Sequence, residues 1–349
     1  MKKLGIQFLF LFYIHIHFKI FILLIKWGGC MMRRYEKYIQ VVIFIFIIFI
    51  ATKFEYNPFQ TNQTSLPVEE SKVTKERDEL YKKIKKFSEK MNEPAEDAYI
   101  DQVWKKTPGR SGLKVNVNES YKKMKKENIF KEELLVVEQV KPKVNIEDLP
   151  PAPIYRGHPE KNMVSFLINV SWGTEYIVDI LQTLKDANIR ATFFIEGKWA
   201  VKNKDIVQMI FEQGHIIGNH AYSHPDMQRI SKEDIYTEIH ETNEVLKAIT
   251  GKDPKWFAPP SGSFNDEVVK TAHSLHMETV LWTVDTIDWK NPSTDVMLHR
   301  VLSKLHPGAT ILMHPTKPVS LGLEKLIYEI KQKNYKIGTI EKLMQPNRD

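Results

Sequence analysis

Two histidines four residues apart are the side chains in this sequence that most directly indicate chemistry. His220 and His224 lie in residues 218–225, directly after an apolar stretch. On a helical or turn-like backbone this spacing points both imidazole rings the same way, so two ring nitrogens can share one cation. The spacing alone is a weak signal, because a chain with 12 histidines produces it by chance. Its meaning therefore depends on the segments around it.

Four further segments accompany the histidine pair in a defined order. Residues 191–194, Ala-Thr-Phe-Phe, have the composition of a buried strand and precede it. The segments that follow it are a proline loop, an acidic segment and a final histidine: Phe257, Ala258, Pro259, Pro260, Ser261 and Gly262; then Asp285, Thr286, Ile287, Asp288 and Trp289; then Leu312, Met313, His314 and Pro315. The order of these segments resembles the polysaccharide deacetylases of the NodB-homology class, carbohydrate esterase family 4. The resemblance extends from about residue 163 to about residue 343.

Apolar strand-like segments alternate with helical segments throughout this region, which indicates a parallel sheet covered by its helices. The predicted strands are residues 164–170, 191–195, 215–218, 256–258, 278–282, 310–313 and 336–339. The family resemblance implies an α/β fold, a distorted (β/α) barrel of the NodB type over residues 163–345. Each motif then falls at the C-terminal end of a strand, where such barrels carry their sites.

The resemblance also implies a set of roles. In the family a divalent metal, usually zinc, is held by one aspartate and two histidines, and His220 and His224 match those histidines. His314 matches the general acid, and Asp288 matches the aspartate that tunes it. Trp289 corresponds to a wall of the sugar pocket.

The remaining groove positions follow the same resemblance. Pro259, Pro260 and Gly262 preserve the shape of the loop, and the backbone N–H of Ser261 is a candidate oxyanion donor. Asp285 belongs to the same acidic segment as Asp288, and it reads equally well as a turn carboxylate.

Three positions depart from the family pattern. Asn169 takes the position of the catalytic base, and Val170 takes that of the metal-binding aspartate. A carboxamide has no useful basicity near neutral pH, and valine cannot ligate a metal. Ala258 replaces the arginine that holds the base. We expect zinc to bind weakly or not at all, unless water, Glu175 or a ligand anion completes the site.

Two functions of different class follow from this mixture. The first is a hydrolase of N-acetylated cell-wall glycans with weakened or altered catalysis, using His314 or Glu175 as an alternative base. The second is a non-catalytic descendant that binds wall glycan or regulates active relatives. Trp172 and Trp282 are predicted to be core residues in either case.

The N-terminal residues predict a membrane segment. Arg33, Arg34 and Lys37 precede the apolar run 39–51, which is typical of a signal anchor over residues 31–54 with the main domain outside the cytoplasm, or secreted if the segment is cleaved. Residues 27–30 imply G-rich codons directly before two methionines, so we expect residues 1–30 to be a mis-assigned extension. A membrane hairpin and a lipoprotein anchor at Cys30 are the alternatives.

The segments between anchor and barrel are expected to be a linker with a solvated stalk helix (55–94), a small α+β module (95–149) and a proline-rich connector (150–162). In the module we predict a short helix near residues 100–104 and strands at 113–117 and 134–137. The net charge of +7 suits an anionic partner such as the cell wall. Nucleic acid is ranked low, because no aromatic–basic RNA motif or helix-turn-helix pattern is present.

Overall fold

The computed structural model describes residues 78–348, which belong to one compact unit. The predictions for the N-terminal extension, the signal anchor and the first part of the linker lie outside the described residues. Among the helices of residues 78–348, none is long and apolar enough to cross a membrane.

A small α+β module forms the first part of the described chain. Two antiparallel strand pairs and two helices build it: α1 (Glu79–Met91), β1 (Tyr99–Asp101), β2 (Lys105–Thr107), β3 (Gly112–Val115), α2 (Val117–Met124) and β4 (Val137–Val140). Strand β1 pairs with β2, and β3 pairs with β4. The segment predicted as a short helix near residue 100 is instead the β1 strand and a turn, because the Asp101 carboxylate accepts the Val103 and Trp104 N–H groups.

The helix α1 is not the solvated stalk that its lysines suggested. Its apolar side is buried against α2, where Leu80 and Ile84 pack with Tyr121 and Met124. The Asp78 side chain accepts the Leu80 N–H and so caps the helix. The lysines lie on the opposite, exposed side. Amphipathic spacing predicted the helix correctly, but it cannot say what covers the apolar side.

The main domain is a parallel sheet with helices on its outside. Its elements are β5 (Met163–Val170), α3 (Thr174–Asp186), β6 (Thr192–Ile195), α4 (Gly197–Lys202), α5 (Lys204–Glu212), β7 (Ile216–Asn219), α6 (Lys232–Thr250), β8 (Trp256–Phe257), α7 (Asp266–Ser274), β9 (Glu278–Thr279), β10 (Val284–Asp285), α8 (Thr294–Lys304), β11 (Thr310–Met313), α9 (Lys317–Gln332), β12 (Lys336–Gly338) and α10 (Ile340–Met344). The strand order is β10-β11-β5-β6-β7-β8-β9, and β12 pairs with the first half of β5. This arrangement is a parallel half-barrel.

The strand β5 is the centre of the sheet, and all eight of its residues are buried. Alternate residues enter two different cores, as expected for a strand that is covered on both faces. Phe166, Ile168 and Val170 pack into the layer between the strands and the helices, whereas Leu167 packs with Phe194 in a second cluster.

Candidate functional site

The C-terminal ends of neighbouring strands bring the sequence motifs together. Asn169 lies at the end of β5, His220 directly follows β7, and Ala258 directly follows β8. Asp285 ends β10, and His314 directly follows β11. Because these strands are adjacent and parallel, their ends meet at one rim of the half-barrel.

The histidine pair stands at this rim with the rings in contact. The ring centroids of His220 and His224 are 5.1 Å apart, and the ring planes are at 74°. The Nδ1 atom of His220 lies 2.7 Å from the Ala258 carbonyl oxygen. A carbonyl can only accept, so Nδ1 carries the hydrogen and Nε2 keeps its lone pair. Burial, with a smaller contribution from the neighbouring His224 and His314 rings, lowers the pKa of His220 to about 3. His220 is therefore neutral at pH 7.

Two polar side chains fix the loop that carries the histidines. The amide of Asn219 donates to the Ile239 carbonyl, and its Oδ1 accepts the Ala221 N–H at 2.8 Å. The Glu238 carboxylate accepts the N–H groups of Tyr222 and Ser223 at 2.8 and 2.7 Å. These bonds hold the left-handed backbone at Ala221 and His224, with φ of 60° and 59°. His224 itself is exposed, and partial burial of its ring lowers its pKa.

The first motif provides no charged group at the rim. Asn169 is buried, and its Oδ1 atom has no hydrogen-bond partner. Val170 is fully buried in the core between strands and helices. Glu175 is exposed in the first turn of α3. Glu196 at the end of β6 is a half-buried carboxylate beside Ser171, and burial raises its pKa.

The proline loop after β8 is closed by its own backbone, and alanine stands where the family pattern has arginine. Ala258, Pro259 and Pro260 are buried, and the Gly262 N–H donates to the Pro259 carbonyl at 3.0 Å. Ser261 is exposed and has a left-handed backbone with φ of 54°. The side chain of Ala258 offers nothing to a base, but its carbonyl orients His220.

The Asp288–His314 pair is the most completely bonded part of the site. Asp288 is fully buried, and its Oδ1 lies 3.0 Å from His314 Nδ1. Its carboxylate also accepts from the Thr286 and Thr316 hydroxyls and from the His314 N–H, at 2.6, 2.8 and 2.9 Å. Burial raises the pKa of Asp288, but the bonds from His314, Thr286 and Thr316 outweigh it, so the pKa is lowered overall. The ionised carboxylate makes Nδ1 of His314 a donor, and Nε2 is left for a ligand.

Two exposed tryptophans follow residues of the site in the sequence, and one of them, Trp172, contradicts the prediction that it is a core residue. Trp172 was expected in the core, yet 46% of it is exposed. Its indole stacks on the His314 ring with centroids 5.9 Å apart and planes at 11°. Trp289 is 52% exposed. Trp282 is partly buried against the second core cluster. Asp285 is half-buried and accepts the Ile287 N–H at 2.8 Å, which is the turn role.

The retained residues do not reproduce the metal site of the family. In residues 78–348 there is no group of three or more His, Cys, Asp or Glu side chains that could hold a metal ion. His220 and His224 supply two neutral nitrogens, and Val170 removes the anionic ligand. Carbohydrate esterase family 4 deacetylases are generally metal-dependent, so this site differs at the centre of their chemistry.

Sequence reasoning missed the residues that support the site. Thr286 and Thr316 hold Asp288, and Asn219 and Glu238 hold the histidine loop. Thr286 lies inside the acidic segment, so its place in the motif was a usable signal. Glu238 lies on α6, 14 residues beyond His224, where only the fold reveals its contact.

Comparisons with known proteins agree with this geometry. The polysaccharide deacetylase family model matches residues 156–280. The chain is 45% identical to the uncharacterized protein YlxY of Bacillus subtilis over 315 residues, which cover 90% of this chain and 99% of YlxY. It is 36% identical to the peptidoglycan-N-acetylglucosamine deacetylase of Bacillus cereus over 180 residues, covering 50% of this chain and 66% of that enzyme.

Solved structures give the same result. Wild-type BA3943 of Bacillus anthracis, described as a pseudoenzyme of carbohydrate esterase family 4, matches with a TM-score of 0.73 and 46% identity over 78% of this chain and 97% of that one. A BA3943 mutant, described as a pseudoenzyme with restored enzymatic activity, matches with a TM-score of 0.73 and 45% identity over 77% and 99%. The chain thus belongs to carbohydrate esterase family 4, the polysaccharide deacetylases. It is a member with an altered catalytic site.

Proposed function

We propose that this protein binds N-acetylated glycan of the cell wall without hydrolysing its acetamide groups. The observation that carries the proposal is the loss of three cooperating side chains at one rim. Asn169 cannot accept a proton, Val170 cannot ligate a metal, and Ala258 cannot orient a base. The enclosed Oδ1 of Asn169 has no partner, so no neighbouring group has taken over the role of the missing arginine.

The glycan is the ligand that the surviving half of the site supports. His314 is still held by Asp288, the partly exposed Trp172 stacks on it, and Trp289, the residue after Asp288, is exposed as well. The Bacillus cereus relative is named as an enzyme that acts on peptidoglycan. A net charge of +7 favours association with an anionic wall. A divalent metal, with zinc as the expected ion, would bind weakly through His220 and His224 alone.

A hydrolase with an alternative base is the second candidate. It is favoured by the four retained side chains His220, His224, Asp288 and His314, with His314 or Glu175 as the base. We rank it below the binding function because His314 would have to serve as both base and acid, and because Glu175 is exposed in the first turn of α3.

The binding function requires the main domain to lie outside the cytoplasm. The sequence supports this location through the basic residues before the apolar run 39–51. External protease added to intact protoplasts should digest residues 78–348. Full protection would contradict a wall ligand.

The activity and the binding are measured together on the full-length protein. Purified peptidoglycan and N-acetylated chitooligosaccharides are incubated with it, with zinc or cobalt in excess, and both acetate release and glycan binding are followed. We expect binding without acetate release. Release that survives Asn169→Ala and disappears in His314→Ala would establish an alternative base and overturn the proposal.

A further inference from the structure

Trp172 is a large apolar side chain in an unusual position. It lies in the short loop between β5 and α3, and 46% of it is exposed. Its indole lies parallel to the His314 ring, and nearly half of the residue remains accessible to solvent. Core positions of β5 bury their apolar side chains completely, so the exposure of Trp172 is a property of this loop and not of the strand before it.

The fold holds the indole in this exposed position. Gly173 follows it with φ of +77°, and a Cβ atom at Gly173 would come within 1.9 Å of the Pro315 carbonyl oxygen. The loop after β5 is therefore in direct backbone contact with the loop after β11, which carries His314. Since His314 is fixed by two bonds to the buried Asp288, the surface under the Trp172 ring is also fixed. A stacked aromatic on a rigid support loses little conformational entropy when a ligand binds.

A second exposed indole is next to the other member of the pair in sequence. Trp289 directly follows Asp288, and 52% of it is exposed. Its loop is constrained by left-handed residues at Ile287 and Asn291, with φ of 51° and 50°. The Lys290 ammonium lies 4.9 Å from the Trp289 ring centroid. Each member of the Asp288–His314 pair therefore has an exposed indole next to it, Trp172 by ring contact with His314 and Trp289 by its place in the sequence after Asp288.

We propose that Trp172 is a carbohydrate-binding residue, whose exposed indole surface stacks on one N-acetylated pyranose ring while Nε2 of His314 bonds to a polar group of the same sugar. This inference rests on the proposed function and names the residue on which the affinity depends. A pyranose ring has an apolar C–H face and a polar rim, which matches an aromatic surface beside one polar nitrogen. The ligand class is a linear glycan with N-acetylated amino sugars.

This arrangement makes binding independent of a metal. The hydrogen bond from Nδ1 to Asp288 orients His314, and His314 in turn supports Trp172. Neither side chain therefore needs a cation at His220 and His224 to reach its position. The affinity for glycan should therefore be the same with zinc and with a chelator. An affinity that depends on the acetamide-binding metal would be lost on chelation.

The test is calorimetric titration of the full-length protein with the β-1,4-linked tetramer of N-acetylglucosamine, with and without a chelator. We expect Trp172→Ala to weaken binding about tenfold, which is the size of one aromatic stacking contact. Trp172→Phe keeps a ring and should retain most of the affinity. Tyr328→Ala on α9 removes another exposed aromatic, 60% accessible, and should change nothing. Tryptophan fluorescence of the wild type should change as the tetramer saturates the protein, and that of Trp172→Phe should change less.

The outcomes separate this inference from the proposed function. If the wild type binds the tetramer and Trp172→Ala binds it equally well, the role of Trp172 is overturned and the binding function stands. If the chelator abolishes binding, the metal-independent contact of Trp172 and His314 with the sugar is likewise overturned. If the wild type binds neither the tetramer nor peptidoglycan, the proposed function itself fails.

Discussion

At the scale of single residues, the altered site has lost a cooperating unit rather than scattered side chains. In the family pattern a carboxylate accepts the proton of the water, an arginine orients that carboxylate, and a metal ion acidifies the water. Asn169 replaces the carboxylate, Ala258 replaces the arginine, and Val170 replaces the aspartate that binds the metal. Restoring one member leaves the others missing, so single reversions should do little. By contrast, His314, which matches the family's general acid, is still bonded to Asp288.

The substitution Val170→Asp tests the metal side of this account. Val170 is fully buried, so an unpaired carboxylate there should cost about 3 kcal/mol of the free energy of unfolding without metal. Zinc should recover part of this loss, because it binds the native state and pairs with the new charge. Thermal unfolding with and without zinc measures the effect.

The matched control is Val170→Asn, because asparagine has nearly the same shape as aspartate and carries no charge. A zinc-dependent rise in melting temperature should be large for Val170→Asp and small for wild type and Val170→Asn. Equal responses of the two variants would show that the position does not face the histidine pair.

The buried aspartate gives a second prediction. Asp288 accepts four hydrogen bonds, whereas Asp285 accepts one, from the Ile287 N–H. In Asp288→Asn one oxygen becomes a donor that faces other donors, so we expect a loss of about 2 kcal/mol in urea unfolding. Asp285→Asn is the control and should lose less than about 1 kcal/mol. Comparable losses would mean that the network around Asp288 does not stabilise the fold.

At the scale of elements, the site depends on contacts between loops at the strand ends. The β5 and β11 loops touch through Gly173 and Pro315, and the histidine loop is held by α6 through Glu238. These loops are therefore positioned by the scaffold of parallel strands and by contacts with one another.

The cost of disturbing this loop contact can be measured apart from the cost of the left-handed backbone, because two glycines share that backbone conformation and only one of them makes the contact. Gly173 and Gly251 have φ of +77° and +72°, but a Cβ at Gly251 meets nothing within 4 Å. Gly251→Ala should cost about 1 kcal/mol for the left-handed backbone alone. Gly173→Ala should cost about 3 kcal/mol because the loops must also separate. Urea unfolding of both variants measures the difference, and equal costs would contradict the loop contact.

Elements that carry periodic or motif patterns were predictable, and others were not. The strands β5, β6, β7 and β11 were predicted from apolar runs, and the site followed from the motifs at their ends. Trp172 was misassigned because a tryptophan two residues beyond a buried strand has no period that tells inside from outside. Residues 100–104 were misassigned because Asp101 closes a turn there through its side chain, a contact that competes with a helix.

At the scale of the whole molecule, the module and the half-barrel form one structural unit. Ile154 lies between them: its N–H donates to the Thr279 carbonyl, and its carbonyl accepts the Leu281 N–H, both at 2.8 Å. The fully buried Lys106 of the module makes bonds of 2.7 and 2.8 Å to both carboxylate oxygens of Glu278 in the half-barrel. The module therefore supports the barrel on the side of β8 and β9.

The buried ion pair gives a prediction for this interface. Lys106→Met should destabilise the protein by about 3 kcal/mol, because it leaves the Glu278 carboxylate without its cation. Adding Glu278→Gln should restore much of the stability, which would appear in urea unfolding as strong non-additivity of the two changes. Additive costs would mean that the pair does not couple the module to the half-barrel.

We propose that this family member lacks turnover because three groups are missing, while the Asp288–His314 pair and the histidine pair remain in place. The measurement that tests it most directly is acetate release from N-acetylated chitooligosaccharides by wild type and by Asn169→Asp/Val170→Asp/Ala258→Arg, with zinc or cobalt in excess. We predict no release by wild type and little by any single variant, and release by the triple variant far above the sum of the single ones. Robust release by wild type would contradict the claim, and so would a triple variant that folds and binds zinc but releases no acetate.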